Sequence, residues 1–113
     1  MKEEMIAAEE LLSMLKVLGP FTCTRCLSGI TPRRGAHIWE TYRNASGTRL
    51  EVHALAVGWA PECLASPWEC HVTLTNDGEE LRCSDGALLL PLLQYLYSSE
   101  TPHYRSNPLC VLD

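Results

Sequence analysis

The 113-residue chain has no apolar run near the ~20 residues that a membrane-spanning helix needs. Its longest candidate, residues 87–97, is about half that length and contains Pro91 and Gln94, which excludes a helical span. Also missing is the basic start and apolar run of a secretory signal, because Met1-Lys2-Glu3-Glu4-Met5 leads directly into further glutamates. The chain is therefore expected in the cytoplasm, with no membrane contact. A reducing compartment disfavours disulfides, so the six cysteines read as metal ligands, reactive thiols or small buried side chains. In an oxidising compartment they could pair instead.

A dominant positive charge is likewise lacking. The net charge is −5, and the basic residues gather in one segment, where Arg25, Arg33, Arg34, Arg43 and Arg49 stand against Glu40 alone. Residues 51–113 carry nine acids against two arginines. A phosphate binder normally shows a dominant basic footprint, so any nucleic-acid role must rest on the 25–49 segment. There is no Gly-rich phosphate loop, no nucleophile elbow and no His-Glu-x-x-His, which speaks against an enzyme. No internal repeat is usable. A hydrophobic fraction of 46% with so little net charge is too apolar for a disordered chain. One domain spanning residues 1–113 is expected, with room for a single modest core.

From Glu3 to Leu18 the chain favours helix, with Ile6, Ala7, Leu11, Met14, Leu15 and Leu18 on one apolar face. Gly19-Pro20 ends it, glycine supplying a left-handed cap and proline refusing to continue. Residues 1–19 thus form an amino-terminal helix. Next comes Phe21 to Ile30, too rich in Thr, Cys and Gly for a helix, which reads as a tight knuckle. Residues 36–43 and 48–57 are β-prone and are separated by Asn44-Ala45-Ser46-Gly47, the turn of a hairpin. The simplest register sets Trp39 opposite Val52 and Thr41 opposite Leu50.

Pro61 opens a short helix after Trp59-Ala60, stopped by Pro67. Residues 20–70 form this central region, and 71–113 the rest. In that last part Cys70 to Thr75 and Glu80 to Cys83 make a second hairpin around Asn76-Asp77-Gly78. Ser84-Asp85-Gly86 can then cap an apolar helix through Leu88 to Leu96, with Pro91 kinking it or marking its start. The tail from Ser98 could add an edge strand.

Cys23-x-x-Cys26 on a turn can aim two thiolates at one zinc ion, which needs two more ligands for a tetrahedron. Cys63 is the best third ligand, since the first turn of a helix favours thiolate. A redox role is the lesser alternative, because Leu27 to Pro32 cannot continue as the helix that a thioredoxin-type pair requires. In this order of knuckle, Ile30, Gly35, paired strands and Trp59-x-x-x-Cys63-Leu64, residues 21–66 resemble the treble-clef zinc fingers, the group that includes LIM and PARP-type fingers. The resemblance implies an α+β fold: a zinc-binding core of knuckle, hairpin and short helix, joined by the first helix, the second hairpin and the last helix. Those families place a ligand where this chain has Ala60, so the fourth must come from elsewhere. Cys70 is the preferred substitute, with His53 and His37 as alternatives, while Cys83 and Cys110 read as buried.

The leading functional expectation is a small zinc-stabilised module that binds another protein, with Trp59, Trp68, Tyr97 and Tyr104 as aromatic anchors. The alternative is a nucleic-acid binder that uses the five arginines at positions 25, 33, 34, 43 and 49.

Overall fold

Alternation of inward and outward residues, mostly apolar and polar in turn, along three long stretches makes the middle of the protein a sheet with one buried and one open face. These stretches are the fourth, fifth and sixth of seven strands in the computed structural model, which describes residues 2–31, 33 and 35–98. The strands are β1 (Lys2–Met5), β2 (Thr22–Cys26), β3 (Gly29–Thr31), β4 (Gly35–Arg43), β5 (Arg49–Ala56), β6 (Glu69–Asn76) and β7 (Glu79–Cys83). Their spatial order is β1-β7-β6-β5-β4-β2, and β3 also pairs with β4. All pairs are antiparallel except β1 on β7. The helices are α1 (Ala8–Leu18), the single turn α2 (Pro61–Leu64) and α3 (Leu89–Tyr97), with a 3₁₀ turn at Gly86–Leu88 leading into the last.

Even-numbered residues of β4, β5 and β6, among them Ile38, Tyr42, Leu50, Val52, Val72 and Leu74, point into the core. Leu11 and Leu15 of α1, Phe21, and Leu88, Leu89, Leu92, Leu93 and Leu96 complete that core. Each fully buried leucine contributes at most about 1.5–3 kcal/mol, since the unfolded chain already hides part of its surface. Odd-numbered residues of the same strands form the open face.

This continuous sheet replaces the expected treble-clef core. Cys23-x-x-Cys26 is a β-strand rather than a knuckle, because its backbone hydrogen-bonds to β4. A bulge between Cys23 and Arg25 keeps both cysteines on the buried side, opposite Tyr42 and Glu40. Those partners are two residues apart, about 7 Å of strand, whereas two sulfurs on one zinc lie roughly 3.8 Å apart. Cys70 is farther still: β4 and β5 stand between its strand and that of Cys23, making three strand spacings, about 14 Å. The strand order thus corrects the expected treble-clef core and sets Cys70 apart from Cys23 and Cys26.

Other local expectations shift for identifiable reasons. The first helix begins at Ala8, not Glu3, because residues 2–5 pair with the edge of β7 (Lys2 with Glu79 through Met5 with Arg82) and tertiary pairing overrides helix propensity. Gly19 is extended, with φ −67° and ψ 177°, rather than left-handed. It must be glycine because a Cβ would strike the Tyr95 hydroxyl and lie 3.1 Å from the Leu15 carbonyl oxygen. In the first hairpin Trp39 lies opposite His53 and Thr41 opposite Glu51, one residue from the simplest register. Gly47 at φ +88° and the Asn44 to Thr48 backbone bond close a three-residue loop, and loop length sets register. The Asn44 side chain locks it, accepting from the Ser46 and Thr48 amides and donating to the Leu18 carbonyl at the end of α1.

The second hairpin turns at Asp77-Gly78, both at positive φ, as the Asn76-Asp77-Gly78 signal indicates. Asp85 accepts from the Ala87 amide at 3.0 Å, and Pro91 sits in the first turn of α3, where a missing N–H does no harm. No helix among the described residues is long and apolar enough to cross a membrane. The tail beyond Ser98, with Tyr104 and Cys110, lies outside the described residues, as does Arg34.

Candidate binding cleft

Helix α3 is apolar nearly all round, and its two faces do different work. Leu89, Leu92 and Leu96 fill the core, while Leu90, Leu93, Gln94, Tyr97 and Ser98, spaced by three and four, line a cleft. Trp59 and Leu64 form the opposite wall, carried by the segment that leaves β5 and turns into α2. The cleft encloses about 680 Å³, a volume suited to a few side chains or a small ligand. Apart from the Gln94, Tyr97 and Ser98 polar groups its lining is apolar.

Trp59 supplies the unusual feature. Its indole Nε1 is buried and has no hydrogen-bond partner among the described residues. A buried donor left unmet costs about 1–3 kcal/mol, so such groups are rare in a finished protein.

Beneath the cleft, the Tyr97 hydroxyl donates to Oε2 of Glu40 at 2.9 Å, and the Tyr42 hydroxyl donates to Oε1 at 2.7 Å. Glu40 is wholly buried, and the Cys26 thiol points at its Oε2 from 3.9 Å. Helix α3 is thereby anchored to β4. A second anchor, the Tyr95 hydroxyl donating to the Leu15 carbonyl at 3.1 Å, ties α3 to α1. Burial pushes the Tyr95 hydroxyl pKa upward.

The cysteines expected to hold zinc are dispersed. Cys23 is buried on β2, its thiol donating to the Arg25 carbonyl at 3.4 Å. Cys63 is half-buried on α2, and Cys70 is buried on β6. Burial first, then neighbouring Cys83 and Asp85, pushes the Cys70 thiol up to about 12. Among the described residues no group of three or more His, Cys, Asp or Glu side chains is arranged to hold a metal ion. His37 and His53, the alternative ligands, lie on the open sheet face, away from the cysteines.

Of the arginines, Arg25, Arg43 and Arg49 are exposed on strands and Arg33 is exposed between β3 and β4. Arg43 and Arg49 are cross-strand partners, yet Arg49 pairs with Glu51 at 3.0 Å and Arg43 donates to the Gly47 carbonyl. Acidic side chains thus interrupt the basic segment. Trp68, read as an anchor, is 62% exposed and lies outside the cleft lining, while Trp59 and Tyr97 are in it.

Sequence reasoning missed the cleft wall on α3, although the 90, 93, 94, 97 spacing was there to find. It also missed Glu40, whose even position alongside Ile38 and Tyr42 marked it as inward-facing. Compared with family models, curated proteins and solved structures, the chain has no significant match.

Proposed function

We propose that this chain is a protein-binding module that receives an apolar segment of another protein in the cleft between α2 and α3. The unmet Trp59 indole N–H carries the reading. Once the Trp59 ring turns toward an entering partner, a backbone carbonyl would satisfy that donor while the adjacent side chain fills the space beside Leu90 and Leu93. Tryptophan and tyrosine in a concave wall are the residues that commonly dominate interface energy. A lining that is mostly apolar and carries no acidic or basic side chain suits holding a bound group better than proton transfer, so binding rather than catalysis is proposed. The net charge of −5 favours a partner whose apolar segment has basic flanks, through steering at long range.

Panning a random-peptide phage library against the full chain tests this. Enriched peptides should share an apolar anchor and lose about tenfold or more in affinity, roughly 1.4 kcal/mol, on Leu90→Gln. Trp59→Phe should weaken the same peptides while leaving stability within about 1 kcal/mol, since it removes a buried donor that has no partner among the described residues. Peptides indifferent to both substitutions, or no enriched family, reject the reading. Binding of a fatty acyl probe that is lost on Leu90→Gln, without peptide binding, reassigns the cleft to a small apolar molecule.

A further inference from the structure

The open face of the sheet carries a row of rings that the cleft does not use. Strand parity places His37 and Trp39 of β4, His53 of β5 and His71 of β6 on this face. Trp39 and His53 are direct cross-strand partners, and their rings stack with centroids 5.2 Å apart and planes inclined by 29°. His37, two residues before Trp39, lies diagonally across from His53. The Nε2 atoms of the two histidines are 3.3 Å apart. Two nitrogens held at about 2.0–2.1 Å by one tetrahedral zinc are separated by ~3.3 Å, so the observed spacing matches that of a chelate.

The geometry points to a zinc site on the open face, formed by Nε2 of His37 and Nε2 of His53, with water or an exchangeable ligand completing the coordination. At the observed spacing one Nε2–H donates to the other Nε2, and to bind an ion that donor histidine takes the other tautomer, with its proton on Nδ1, so that both Nε2 lone pairs are available to the metal. Binding therefore asks for a change of tautomer in one ring and no movement of the backbone. Both ligands stand on the paired strands β4 and β5, and stacking on Trp39 restrains the His53 ring, which lowers the ordering cost. Imidazole suits zinc, copper(II) and nickel(II), and zinc tolerates a tetrahedron left partly to solvent. His71 is turned elsewhere: its Nε2 faces Glu69 Oε2 at 3.6 Å and its Nδ1 faces Ser84 Oγ at 3.5 Å. The site is independent of the apolar cleft and of the cysteines.

Calorimetric titration of the full chain with zinc chloride near neutral pH, in a non-chelating reductant, tests the assignment. One ion should bind per chain. His37→Ala and His53→Ala should each weaken binding about tenfold or more, and His71→Ala should change it by less than about twofold. All three positions are on the outward face, and far-UV circular dichroism should report an unchanged fold. Binding that survives both His37→Ala and His53→Ala but disappears after thiol alkylation places the ion on cysteine and overturns the proposal. So does an absence of binding at millimolar zinc, or a dependence on His71 equal to that on His53.

Discussion

The Tyr97 hydroxyl of the last helix donates to the wholly buried carboxylate of Glu40, in the middle of β4, at 2.9 Å. This bond joins the wall of the cleft to the sheet beneath it, and Tyr42 occupies the other carboxylate oxygen. Tyr97→Phe should lower stability by about 2 kcal/mol, as expected for a hydrogen bond to a carboxylate. Glu40→Gln keeps the shape but replaces one acceptor by a donor, and should cost about 1–3 kcal/mol. Urea unfolding at constant m-value measures both. A midpoint unchanged in Tyr97→Phe would show that the bond contributes nothing net.

A tighter contact holds the first helix to the last. Gly19→Ala should destabilise by about 1–3 kcal/mol, because the new methyl meets the Tyr95 hydroxyl and the Leu15 carbonyl that it bonds. In a Tyr95→Phe background the obstacle is smaller, so the same substitution should cost less and the double-mutant cycle should show coupling. Strict additivity would mean that glycine is needed there for another reason.

Alkaline pH should weaken the fold through Cys70. Its thiol is pushed up to about 12 from a usual 9.0 by burial, with Cys83 and Asp85 adding to the rise. The folded protein therefore holds this proton more tightly than the unfolded chain does. The contribution is complete below about pH 9 and is lost as pH rises toward 12, because the unfolded state ionises first. Burial shifts Tyr95 in the same direction from its usual 10.0, steepening the upper part of the decline. Urea midpoints measured across this window should fall in the wild-type protein and fall less in Cys70→Ala, which begins from a lower value because of the cavity it leaves. Parallel profiles would remove Cys70 as the cause.

Much of the local structure was legible because its causes are local. Asp77-Gly78 requires positive φ at two successive residues, which selects the hairpin turn wherever the flanking strands go. Asp85 offers an oxygen to the amide two residues on, and Leu11 and Leu15 share a helix face by periodicity alone. The cysteines illustrate the opposite case. Cys-x-x-Cys between prolines suits a knuckle, but the same five residues make a good strand once β4 is beside them. Only the pairing partner distinguishes the two.

By itself the sequence determined the turn of the second hairpin, the cap ahead of the last helix and the apolar faces of the helices, because φ preferences, capping and hydrophobic period act over a few residues. The tertiary structure decided which strands neighbour which. Through that it moved residues 2–5 out of a helix, separated Cys23 from Cys70, joined Glu40 to Tyr97, set Trp59 in a cleft wall with its N–H buried and brought His37 to His53. Each of these depends on pairing or packing across a long stretch of chain. Such contacts follow from the free energy of the whole sheet, and no short window of residues carries that information.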